Sequence, residues 1–116
     1  MLKENQILDL SFEFALLVVD YCELLEKKRR FVVSNQLLKC GTSIGANIRE
    51  SQSAESKTDF IHKMKISSKE AEETEYWLLL CKQSKSYPSP DHLLEKILVI
   101  KKILSKIIST SKTSQK

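Results

Sequence analysis

The sequence predicts an all-α protein, an up-down-up-down antiparallel four-helix bundle, on three observations. The 116-residue chain holds only 2 glycines and 2 prolines with 29% charged residues, a balance that favours helices and leaves few places for tight turns. Apolar residues recur at alternating three- and four-residue steps in four segments, the period of a helix face. Between the segments stand "KKRR", "AESKTD" and "YPSPD", stretches that stop or start helices. A chain of this length supports one core, so residues 1–110 are expected to form one domain and residues 111–116 a polar flexible tail.

The first helix is expected over about 3–29. One apolar seam runs through Ile7, Leu10, Phe14, Leu17, Tyr21 and Leu24, and a second through Leu8, Phe12, Ala15, Val19 and Cys22. A helix packed on one neighbour needs one seam, so this helix should touch at least two partners. It ends at Lys27 to Arg30, where positive charge suits the negative end of the helix dipole.

The second helix is expected over about 33–54 and contains both glycines, in "CGTSIGANIRESQSAES". At about 100° per residue, Leu37, Leu38, Gly41, Ile44, Gly45, Ile48 and Gln52 gather in one arc. Beside it lies a polar strip of Gln36, Cys40, Ser43, Asn47, Glu50 and Ala54. The third helix, about 57–86, starts with Ser56 as N-cap and Asp59 at N3, and its seam is Phe60, Met64, Ser67, Ala71, Thr74, Leu78 and Cys81. Tyr87-Pro88 stops it. The fourth, about 90–109, opens with Ser89 as N-cap, Pro90 at N1 and Asp91 in the first turn; its stripe is Leu93, Ile97, Ile100, Leu104 and Ile107.

Each glycine inside a helix costs about 1 kcal/mol relative to alanine. A turn near residues 55–57 sets Gly45 opposite Ser67 or Ser68 and Gly41 near Ala71, so these four positions are expected to let the second and third helices approach closely. A phosphate-cradling loop instead requires glycines at a strand-to-helix junction and a Gly-Lys-Ser/Thr ending, and "GTSIG" has neither. The polar strip borders the buried arc, where side chains must find partners. Ser43, Asn47 and Glu50, with Trp77 from the third helix, are candidates for a contact between subunits.

No catalytic, cofactor or metal residues emerge. Asp59 with His62 and His92 with Glu95 have the spacing of metal ligands, but a bundle metal site draws carboxylates from every helix. Cys40 has no base near it in sequence. The cysteines at 22, 40 and 81 form no C-x-x-C pair, which points to reduced thiols and a cytoplasmic setting. Glu4, Asp9 and Glu13 interrupt the first apolar run, and no stretch reaches the ~20 apolar residues of a membrane span, so no membrane partner is expected.

The net charge of +4 resides in residues 91–116, where six lysines outweigh Asp91 and Glu95. In an up-down-up-down bundle the end of the first helix, the start of the second and the end of the third share a pole. Lys27, Lys28, Arg29, Arg30, Lys39, Lys82 and Lys85 are therefore expected to converge as a candidate nucleic-acid contact, with Lys106, Lys112 and Lys116 at the other pole.

The stretch "SNQLLKCGTSIGANIRESQSAESKTDFIHKMKISSKEAEETEYWLLL", residues 34–80, resembles the signature of the four-helix-bundle proteins encoded by intervening sequences within bacterial 23S ribosomal RNA genes. Matching positions include Gln36, Leu37, Ser43, Ile44, Ala46, Asn47, Ile48, Glu50, Phe60, Ala71, Glu73, Tyr76 and Trp77. The resemblance implies a bundle and a closed homo-oligomeric ring, with a pentamer the expected form. Similar bundles serve as accessory proteins of diversity-generating retroelements, which implies a nucleic-acid partner, RNA or DNA. It implies no catalytic residue and no cofactor. The expected function is a non-enzymatic binding or scaffolding module; the alternative is a protein-binding adaptor with no nucleic-acid role.

Overall fold

Helices account for nearly all of residues 3–114, the span that this computed structural model describes. They are α1 (Lys3–Lys27), α2 (Phe31–Ser51), α3 (Lys57–Gln83) and α4 (Asp91–Ser114). Both α1 and α3 pack on α2 and α4, while the α1/α3 and α2/α4 pairs are diagonal. Chain order therefore runs round the bundle, as an up-down-up-down arrangement requires, and the molecule is a rod of 50 × 22 × 20 Å.

The starts of α3 and α4 follow local chemistry. Ser56 Oγ accepts the Asp59 backbone N–H at 3.0 Å, and Asp59 Oδ2 accepts the Glu55 N–H at 3.2 Å, so donors without helical partners are satisfied at the start of α3. Ser89 Oγ accepts the Asp91 N–H at 3.3 Å, and the Pro90 carbonyl takes the Leu94 N–H at 3.0 Å. At its far end α4 continues to Ser114 with Ser111 buried, which corrects the expected tail: residues 111–114 are helix. The cause is periodic, because Ser111 extends the buried series Leu93, Ile97, Ile100, Leu104 and Ile107 by one further step of four. Residues 115 and 116, and hence Lys116, lie outside the described span.

The core line of α1 differs from both expected seams. Ile7, Ser11, Phe14, Val18, Tyr21 and Leu25 are buried, a 4-3-4-3-4 spacing that passes between them. Leu10 and Leu17 are half-buried, and Leu24, Phe12 and Val19 are exposed. A serine in a core line is counter-intuitive by polarity, but Ser11 meets Gly45 of α2, where only a small residue fits, and its hydroxyl donates to the Leu8 carbonyl at 3.2 Å.

The glycines face α1, not α3. A Cβ built on Gly41 would stand 2.9 Å from Val18 Cγ1, and one on Gly45 would stand 3.3 Å from the Ser11 carbonyl oxygen. The edge of α2 one residue earlier faces α3 instead: Ser67 Oγ donates to the Ile44 carbonyl at 2.9 Å. A single residue step rotates a helix face by about 100°, which is enough to exchange one neighbour for the next. Gly41 and Gly45 therefore close the α1/α2 seam. Ser67 and Ala71, both fully buried, lie on α3, where Ser67 closes the α2/α3 seam.

Candidate functional site

The pole holding the α1/α2 and α3/α4 connections gathers the densest run of cationic residues. α1 ends in a turn where Arg29 and Arg30 N–H groups bond back to Glu26 and Leu25 carbonyls, each at 2.8 Å. This places Arg29 at φ 61°, a left-handed conformation usually reserved for glycine. The turn directs Arg30 across the pole. Its Nη2 donates to Ser86 Oγ at 2.6 Å and its guanidinium lies 5.3 Å from the Tyr87 ring centroid, while its buried Nε has no partner among the described residues. Beneath it the Tyr21 hydroxyl donates to the Pro88 carbonyl at 2.6 Å, and burial pushes the ionisation of that hydroxyl upward.

The seven basic residues expected to converge divide into three groups. Lys27, Lys28, Arg29 and Lys85 are exposed around the pole and form no ion pair among the described residues. Arg30 and Lys82 serve the fold: Arg30 bridges the two connections, and Lys82 Nζ lies 3.0 Å from Asp91 Oδ1, holding that carboxyl below its ordinary range. Lys39 belongs elsewhere. It lies some 13 Å along α2 from the pole at about 1.5 Å per residue, and its charge acts on Glu70 of α3.

The polar strip forms one outer seam between α2 and α3, with each member bonded within its own chain. Ser43 Oγ donates to the Lys39 carbonyl at 2.7 Å, and Asn47 Nδ2 donates to the Ser43 carbonyl at 2.9 Å. Glu50 meets Lys63 at 3.1 Å, and Trp77 Nε1 donates to Glu73 Oε2 at 3.3 Å. Trp77 packs against the core while Tyr76, edge-on at 5.3 Å, is exposed. Glu70 sits between these rows, its carboxyl held above the ordinary range by desolvation first and by Glu73 second.

The three thiols are buried, and burial raises Cys22 to about 11 and shifts Cys40 and Cys81 in the same direction, away from the thiolate. Cys22 instead ties α1 to α2: its thiol donates to the Ser34 carbonyl at 3.4 Å while Ser34 Oγ donates to the Cys22 carbonyl at 3.2 Å. His92 stacks edge-on against Tyr21 at 6.4 Å. Among the described residues no group of His, Cys, Asp and Glu is placed to hold a metal ion, and no helix is long and apolar enough to cross a membrane.

Two features go beyond the sequence reading, which named Phe12 and Val19 only as members of a second seam on α1. The Arg30–Ser86–Tyr87 clamp joins residues far apart in the chain, and no local signal marks it. The exposed apolar stripe of Phe12, Leu16 and Val19 on α1, 55%, 53% and 38% exposed, could have been found by asking which apolar positions two neighbouring helices leave uncovered. It borders a groove of about 300 Å³ between α1 and α2, lined by Leu8, Phe12, Ala15 and Gly45 among others.

Comparison with known proteins fits this architecture. The family model described as 23S rRNA-intervening sequence protein matches residues 3–106. A crystal structure of a protein of unknown function from the S23 ribosomal protein family of Bacteroides thetaiotaomicron VPI-5482 is 41% identical, covering 93% of this chain and 99% of that one with a TM-score of 0.88. No curated protein matches.

Proposed function

The chain belongs to the 23S rRNA-intervening sequence protein family, and from that premise we propose that it is a non-enzymatic, self-associating helical bundle that binds nucleic acid. The observation carrying the proposal is the Phe12, Leu16 and Val19 stripe, three large apolar side chains exposed in a row on a helix that already packs on two neighbours. Burying such a stripe is worth about 25 cal/mol per Å², and a ring buries it by seating α1 of one copy on a different face of the next. The Ser43, Asn47, Glu50 and Trp77 seam, with Tyr76 and Leu79 exposed beside it, is the face we assign to that second surface. A closed ring, with five subunits the expected number, repeats Lys27, Lys28, Arg29 and Lys85 around an axis and builds a basic rim suited to a phosphate backbone.

Light scattering coupled to size exclusion tests the assembly. The expected result is a closed oligomer that F12K/L16K converts to monomer; a wild-type monomer at micromolar concentration ends this part of the proposal. Binding to structured RNA or DNA is expected to weaken steeply with salt, and K27Q/K28Q/R29Q to lower the slope of log affinity on log salt by roughly 2–3. Absence of binding at low salt would instead favour the adaptor reading, in which the same apolar stripe docks a protein partner; pull-downs with and without nuclease separate the two.

A further inference from the structure

At the opposite end of the rod, a cleft of about 260 Å³ between α3 and α4 is lined by Thr58, Ile61, His62, Lys65 and Lys112. Thr58, His62 and Lys65 stand at i, i+4 and i+7 on α3, so they form one stripe, and Lys69 extends it. Lys112 reaches the stripe from the last turns of α4. The neighbouring Lys112 amine, with Lys69 behind it, holds the Lys65 amine below its ordinary value.

Among the described residues, this pairing differs from the other cross-helix lysines whose contacts are seen. Lys63 reaches from α3 to Glu50 of α2, Lys82 from α3 to Asp91 of α4, and Lys101 from α4 to Glu72 and Glu75 of α3. Each of those cross-helix lysines ends on a carboxylate. Lys65 and Lys112, also on different helices, line one cleft, and neither has a carboxylate partner among the described residues. Two long, flexible cations would separate into solvent at little cost, so a cleft that brings them together is suited to a ligand that opposes both charges. Each ammonium offers three donors and no acceptor, which calls for a ligand rich in acceptor oxygens.

We propose that the α3/α4 cleft of Lys65, Lys112 and His62 is a binding site for a phosphate dianion, either free phosphate or the terminal phosphate of a nucleotide. A dianion matches the two ammonium charges, and its tetrahedral oxygens can accept from both lysines and the imidazole at once. The site lies at the opposite end from the Lys27 to Arg30 turn and depends on neither assembly nor the basic rim.

The test is an amide NMR titration of the full chain with inorganic phosphate, ionic strength held constant with sodium chloride. Saturable shifts are expected at residues 58–65 and 109–113, with K65Q and K112Q each weakening binding by about tenfold and K27Q/K28Q leaving it unchanged. Parallel titrations with a nucleoside 5′-monophosphate and the unphosphorylated nucleoside identify the source: tighter binding of the monophosphate assigns a nucleotide, equal binding assigns phosphate itself. Because both lysines lie on the surface, the variants are expected to retain the wild-type helical circular dichroism. Shifts that never saturate, or that persist unchanged in K65Q/K112Q, overturn the site.

Discussion

The two seams of α2 are both close, but around Gly41 to Gly45 they are closed in opposite ways. Toward α1, closeness comes from side chains that are missing: Val18 fills the space over Gly41, and the Ser11 backbone approaches Gly45. Toward α3, it comes from a side chain that is present, the Ser67 hydroxyl on the Ile44 carbonyl at 2.9 Å. The first contact is steric and has no direction, so it fails when atoms are added. The second is directional and fails when an atom is removed. At mid-helix α2 thus meets α1 by shape and α3 partly by a hydrogen bond, while nearer its start the reciprocal Cys22–Ser34 bonds also tie it to α1.

The sharpest way to break this contrast is to fill the α1 seam. Gly41→Leu is expected to cost about 3 kcal/mol or more in denaturant unfolding, because Gly41 is buried and the obstructing Val18 is fully buried too. Gly45→Leu should cost less, about 2 kcal/mol, because Gly45 lines an open groove into which part of the new side chain can turn. Equal stability of either variant at matched protein concentration would refute closure by shape.

Gly41→Ala refines the assignment of the partner. Its Cβ would sit 2.9 Å from Val18 Cγ1, a strain offset in part by the helix propensity gain, for a net loss of about 1 kcal/mol. In a double-mutant cycle Gly41→Ala should couple to Val18→Ala by at least about 0.5 kcal/mol and show no coupling to Ala71→Gly. The reverse pattern would return the glycines to α3. On the other seam, Ser67→Ala should cost about 1 kcal/mol, the worth of one buried hydrogen bond; a neutral result would reduce that contact to packing.

The smallest expected effects lie outside both seams. Arg29→Gly should stabilise by about 0.5–1 kcal/mol, since glycine accepts φ 61° without the steric penalty of a side chain. Glu70→Gln should make stability less dependent on pH. A carboxyl raised in the folded state binds more protons there than in the unfolded chain, so its contribution falls as pH rises from the ordinary value of 4.5 through the raised one. Thermal melts across that window should show wild type losing stability relative to Glu70→Gln.

Much of the bundle was legible in the residues. Ser56 and Asp59 marked the start of α3, Ser89 and Pro90 that of α4, and the stripes of α3 and α4 are buried nearly as their periods require. The line of α1 was not, because Ser11 reads as polar until the space opposite Gly45 is known. The basic residues followed the same division: Lys27, Lys28, Arg29 and Lys85 lie where connectivity puts them, whereas the partners of Arg30, Lys39 and Lys82 depend on side chains arriving from other helices.

By itself the sequence determined the number of helices, most of their ends, the bundle and the family, because caps, prolines and apolar period act over a few residues. Only the tertiary structure decided which neighbour the glycines meet and which cations keep their charge unopposed. The first turns on a rotation of about 100°, one residue, which leaves the apolar period intact while exchanging the partner. The second turns on long side chains crossing between helices, so that Lys101 finds two glutamates while Lys65 shares its cleft with Lys112.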